Sequence, residues 1–223
     1  MFQCPVCHAR LVTEDALCAA CLIRGAVATP GGPPAIDRDV ASDWRLCGAL
    51  EATEYGTIYL AERDAGRQIG ALHLSAQRVT LAGVAGRLDA ERRRLMSLDR
   101  RTVVPMLDAG LTEAGQLFVV FEHQRGRLFR EYLALGTPEI AAANELLAEV
   151  AAALDHVHEA GLAHGGVSAS SVMVSGHRPA RRARLLGMGV RHLLGVANLA
   201  AAPSPADDVA ALRALQNLVT GRV

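Results

Sequence analysis

The 223 residues carry 23 Lys and Arg against 23 Asp and Glu, so the formal net charge is zero. That balance argues against nucleic acid or an anionic membrane surface as the principal partner, and no apolar run approaches the roughly 18 residues a bilayer-spanning helix needs. A hydrophobic fraction of 51% with aromatics at only 4% describes a globular chain packed chiefly by Leu, Val and Ala, large enough to need no crosslinks. The N-terminus shows no basic segment followed by an apolar stretch, so a soluble, cytoplasmic protein is expected.

The first segment, 1–24, contains Cys4-Pro-Val-Cys7 and Cys18-Ala-Ala-Cys21. Each Cys-x-x-Cys turn can present two thiolates to one metal, and four soft anionic ligands close a tetrahedral zinc shell. So short a segment cannot fold on hydrophobic burial alone, so metal binding would supply its folding energy. Structural zinc is favoured over a dithiol redox role, and over the haem-attachment reading of Cys4-Pro-Val-Cys7-His8, which leaves the second pair unexplained. The segment resembles a zinc-ribbon or rubredoxin-like knuckle. With no open coordination position it is expected to dock a partner rather than to catalyse. Its only fixed positive charges are Arg10 and Arg24, which makes nucleic acid an unlikely partner. Cys47 stands apart and is expected to be a small buried hydrophobe.

The Gly/Pro/Ala-rich stretch that follows reads as a flexible linker over 25–42. Beyond it, Thr57–Leu60, Gly70–Leu74 and Leu117–Phe121 are β-prone runs bounded by turn residues. A charged helix is expected from about Val84 to Leu98, with Leu88, Leu95 and Leu98 facing inward and Arg92, Arg93 and Arg94 on a solvated face. Thr137 and Pro138 provide a cap and first position for a helix whose apolar residues Ile140, Leu147, Val150, Leu154 and Val157 recur at helical spacing, and Gly161 ends it. His177 to Arg184 reads as a solvated hairpin, and a last helix runs from about Asp208 to Val219, ending at Thr220-Gly221.

Taken in order, these segments resemble a bacterial Hanks-type serine/threonine protein kinase over about four-fifths of the chain. Gly56-Thr57-Ile58-Tyr59-Leu60-Ala61 is similar to the end of that family's glycine-rich strand pair. Ala71-Leu72-His73-Leu74 is similar to the strand bearing its phosphate-pairing lysine, and Glu91 to the helix glutamate that pairs with that lysine. Val103 to Gly110 resembles the following strand, and Phe118-Val119-Val120-Phe121-Glu122-His123 the strand and hinge between lobes. The closest likeness is Leu154 to His164, which resembles the helix entering the catalytic loop. The resemblance implies an α+β, bilobal protein-kinase-like fold preceded by the zinc-ribbon-like module. Its β-rich small lobe would span about 43–121, and its helical large lobe about 124–223, with the family's last helices missing.

Phosphoryl transfer in that family uses a glycine loop, a lysine–glutamate pair, a catalytic aspartate, and metal-binding asparagine and aspartate. Here Glu51, Thr53 and Gly56 stand at the loop positions, His73 at the lysine, Gly166 at the base aspartate, Ser168 at the loop lysine, Ser171 at the asparagine and Gly187 at the metal-binding aspartate. An ordinary imidazole is mostly neutral at pH 7, so His73 is no charged phosphate clamp and Glu91 loses its partner. Gly165 replaces the arginine that holds a phosphorylated activation loop, and that loop is shortened. The resemblance therefore implies a pseudokinase, a binding or regulatory module that does not use ATP and Mg²⁺ for catalysis and works through a protein partner. Adenine binding at the hinge, Glu122 and His123, stays open. The alternative is an unconventional ATP-dependent kinase or nucleotide-binding enzyme recruiting Glu91, Glu122 or Asp108 to a metal. Asp208 is similar to the aspartate that ties down the catalytic-loop backbone, and His158 and His164 are expected to be scaffold histidines.

Overall fold

The computed structural model describes residues 43–63, 66–79, 84–101, 103–134, 140–176 and 180–221, and the backbone of three short strands at 2–3, 10–11 and 39–41. The four paired cysteines, most of the linker, the Thr137-Pro138 cap and His177 lie outside the described residues. The strands β1 (Phe2–Gln3) and β2 (Arg10–Leu11) pair antiparallel, Phe2 with Leu11 and Gln3 with Arg10.

The chain divides into two compact units, residues 1–80 with 109–125, and residues 81–108 with 126–223. The helix at Val84–Met96, within the span read above as small lobe, is grouped with the second unit.

The first unit is built on a sheet of six strands in the order β3-β4-β5-β6-β8-β7. These are β3 (Asp39–Ala41), β4 (Trp44–Thr53), β5 (Gly56–Arg63), β6 (Gln68–Arg78), β7 (Met106–Leu111) and β8 (Gln116–Glu122). The end of the stretch read as linker thus supplies an edge strand, paired antiparallel to β4. β7 enters this unit at Ala109, its first residues being counted with the second. All three β-prone runs of the sequence fall inside strands. Leu117–Phe121 are five consecutive buried residues, the uninterrupted apolar run expected of an inner strand rather than an alternating one. Each fully buried Leu or Val is worth about 1.5–3 kcal/mol, so Leu72, Leu117, Val119 and Val120 form the stabilising centre of the sheet. Trp44 is fully buried under the Arg63 guanidinium, which sits 4.7 Å from the ring centre. On the same strand Cys47 is exposed, correcting the expectation of a buried thiol. Alternation along β4 turns Arg45 and Cys47 outward where Trp44 points in.

In the second unit α1 (Val84–Met96) buries Val84, Leu88 and Leu95. The strand β9 (Arg127–Leu128) leads into the short helix α2 (Phe129–Ala134), and α3 (Ile140–Glu159) follows. The inward stripe of α3 is Ala143, Leu146, Leu147, Val150, Ala153, Leu154 and Val157. Ile140, counted in that stripe from sequence, is instead 54% exposed on the first turn. Gly161 ends the helix as read. Its φ is +68°, its N–H reaches the His158 carbonyl at 2.8 Å and the Leu162 N–H reaches Val157 at 3.1 Å, a Schellman closure. Beyond it β10 (Val172–Ser175) and β11 (Arg182–Leu185) pair antiparallel, with β9 on the other side of β10; of the stretch read as a solvated hairpin, Arg184 falls in β11, whose Ala183 and Leu185 are buried. Then come α4 (Val190–Val196) and α5 (Pro205–Thr220). α5 starts three residues before Asp208 because Ser204 and Asp207 form a reciprocal capping box with Pro205 in the first turn. α3 packs on β11 and on α5, and α1 packs on α4.

Candidate functional site: a residue cluster in each unit

In the first unit the β4–β5 hairpin turns on Glu54 and Tyr55, with Thr53 opposite Gly56. Gly56 adopts φ +153°, and a Cβ there would collide with the Leu74 carbonyl, so glycine is required by the hairpin's approach to β6. Thr53 Oγ1 donates to the Gly56 carbonyl at 3.0 Å and lies 3.2 Å from His73 Nε2. Since the hydroxyl proton is committed, Nε2–H is the donor to it and His73 is the neutral Nε2–H tautomer. His73 is 6% exposed, its Nδ1 meets no hydrogen-bond partner among the described residues, and burial pushes its pKa from 6.5 down to about 4. The position read as a lost lysine is thus an uncharged imidazole at neutral pH. At the candidate hinge, Glu122 pairs with Gly70 and is exposed, and the His123 N–H donates to Ile69 at 3.2 Å. Burial, and then repulsion from Arg125, lower the His123 pKa.

In the second unit the loop after α3 is organised by one carboxylate. Asp208 is fully buried. Its Oδ2 accepts from the His164 N–H at 2.7 Å and lies 2.9 Å from His158 Nε2, while Oδ1 accepts from the Gly165 N–H at 2.6 Å. His164 is buried, and that burial lowers its pKa against the opposing pull of the Leu186 carbonyl and Asp208. Its Nε2 donates to the Leu186 carbonyl at 2.8 Å and its Nδ1 accepts from the Gly166 N–H at 3.1 Å. Both ring nitrogens are therefore satisfied with the ring neutral, a structural histidine as expected. Ser171 Oγ donates to the Ser168 carbonyl at 3.0 Å and accepts from the Ser168 N–H at 2.8 Å, and the Leu186 N–H donates to the Ser171 carbonyl at 2.8 Å. This brings Gly166, Ser168, Ser171 and Gly187 into one loop cluster, with the Ser171 hydroxyl spent on backbone. Gly187 takes φ +76°.

From Ala160 to Ala206 the sequence contains no Asp or Glu at all. A divalent cation is held by oxygen ligands, usually one or two carboxylates. The residues of this loop do not fit one.

Glu91, on α1, is not left idle. Its Oε2 lies 3.1 Å from His192 Nε2 on α4 and 3.7 Å from the Arg94 guanidinium. Arg94, read as part of a solvated face, donates to the carbonyls of Ala160 at 2.6 Å and Gly161 at 3.2 Å. Arg92 and Arg93 both engage Asp89, whose pKa their hydrogen bonds lower. The roles of Arg94 and His192 were not legible in the sequence, where nothing links either to its partner.

No protein-family model matches the chain. A stretch of 153 residues is 28% identical to the serine/threonine-protein kinase pkn2 of Myxococcus xanthus, a match that covers 68% of this chain and 18% of that protein. The fold is similar to crystal structures of the Mycobacterium tuberculosis PknI kinase domain. One, of a point mutant, has a TM-score of 0.65 at 20% identity over 84% of this chain and 79% of that one. The unmutated domain gives 0.64 at 19% identity, over 84% and 78%. With its sheet-built first unit and largely helical second unit, the chain carries an α+β, protein-kinase-like domain.

Proposed function

We propose that this chain is a catalytically inactive kinase-like module, a pseudokinase that binds or regulates a protein partner, with a structural zinc site at its N-terminus. The observation that carries the reading is the absence of any carboxylate between Glu159 and Asp207, the span in which the kinase resemblance calls for both a base and a metal ligand. Gly166, Ser171 and Gly187 offer no anionic oxygen, and His73 is neutral where a cation would grip phosphate. No observation favours the alternative recruitment of Glu91, which is engaged by His192 and Arg94.

Zinc would be held by Cys4, Cys7, Cys18 and Cys21. Among the described residues no other group of His, Cys, Asp and Glu could hold a metal, and no helix there is long and apolar enough to cross a membrane. A reducing cytoplasm would keep the thiols available to the metal.

The test is one preparation of the full chain, with zinc content measured beside calorimetric ATP binding and phosphate release, each with and without Mg²⁺. The reading expects one zinc per chain and no Mg²⁺-dependent turnover. ATP binding without turnover would make the module a nucleotide-responsive one, whereas turnover abolished by Glu91→Gln would overturn the proposal in favour of a rebuilt enzyme.

A further inference from the structure

We infer that Glu91, Arg94 and His192 form a built-in latch that fixes the segment 187–203 in one place without phosphorylation. The segment leaves the loop cluster at Gly187 and folds at once into α4, with the Val190 N–H on the Gly187 carbonyl at 3.1 Å and the Leu193 N–H on Gly189 at 2.8 Å. It is anchored by shape first. Gly189 sits at φ +92°, and a Cβ there would lie 2.6 Å from Leu95 Cδ1, so α1 and the start of α4 approach as closely as glycine permits. Met188, Leu193 and Leu194 are buried.

Polar contacts then add to this anchoring. The Glu91 carboxylate takes the His192 imidazole at 3.1 Å, and Arg94, one helical turn on, both faces that carboxylate and caps the carbonyls of Ala160 and Gly161 at the end of α3. One side chain of α1 thus holds α4, and its neighbour holds the C-terminus of α3. Both Glu91 and His192 are about three-quarters shielded from solvent, where such a contact is worth more than an exposed pair.

The segment also lacks the chemistry of a switch. From Gly187 to Pro203 there is no Ser, Thr or Tyr, so no hydroxyl exists there to be phosphorylated. The carboxylate–imidazole contact between Glu91 and His192 is made without any modification of the segment. The inference does not depend on whether the domain transfers phosphate.

Hydrogen exchange of the full chain tests it. In Glu91→Ala and in His192→Ala, amides of Val190–Val196 should exchange about fivefold or more faster, while those of β10 and β11 keep their protection and report that the unit is folded. The double variant E91A/H192A should be no faster than either single one, and the swap E91H/H192E should restore protection. Additive effects, no change at α4, or loss of protection throughout the unit that the swap leaves uncorrected would each overturn the latch.

Discussion

Asp208 and His73 are both buried ionisable groups, yet the chain treats them in opposite ways. Asp208, at zero exposure, receives two backbone N–H groups and an imidazole, and its partners stretch from His158 to Gly165. His73, at 6% exposure, meets among the described residues one hydrogen-bond partner, Thr53, and none at Nδ1. A buried charge is tolerated only when its hydrogen bonds are complete, whereas a buried imidazole escapes the penalty by giving up its proton. The comparison separates two ways of burying an ionisable group: Asp208, which holds the loop in shape, keeps its charge by being fully connected, and His73 is neutral at pH 7.

The comparison can be broken at three places. Asp208→Ala removes the acceptor for three donors at once and should cost about 3–5 kcal/mol in urea unfolding, with Asp208→Asn losing roughly half of that. A loss under about 1 kcal/mol would mean that the loop does not depend on this carboxylate.

His73 predicts an acid-sensitive stability. The unfolded imidazole takes up a proton near pH 6.5 and the folded one only near pH 4. Between those values protons bind the unfolded chain preferentially, so stability falls as pH drops through the window, by about 3 kcal/mol from this group. His164, also held low by burial, adds to the same slope. Unfolding curves for His73→Leu should be visibly flatter between pH 6.5 and 4 than those of the parent, and an unchanged slope would mean His73 is not desolvated.

The smallest effect belongs to Thr53→Val, which removes the bonds to His73 and Gly56 and should cost about 1 kcal/mol at pH 7. If it matches Asp208→Ala, the hairpin rather than the loop is the anchor.

Much of this architecture could be read from residues near one another in the chain. The apolar spacing of α3 and its Gly161 stop, and the β-prone runs of β5, β6 and β8, are local signals, and the structure follows them. Asp208 was legible only through the kinase resemblance, since nothing local distinguishes it from the capping residue Asp207 beside it. What the sequence could not show are contacts between distant positions and short elements. His192 lies 101 residues from Glu91, and α4, at seven residues flanked by glycines, is too brief to carry a periodic pattern. Cys47 was misread because a lone cysteine is usually buried, and only the alternation of β4 turns it outward.

The reach of Asp208 also sets an order of events during folding. Its three bonds span 43, 44 and 50 residues of chain, so the amides of His164 and Gly165 and the His158 ring must wait for the last helix before they are satisfied. Contacts this far apart are penalised by loop-closure entropy until both ends are in place, while α3 can form from local contacts alone. On the ribosome, α3 and its Gly161 cap can therefore form before residue 208 emerges, and the loop between them locks only after α5 is in place.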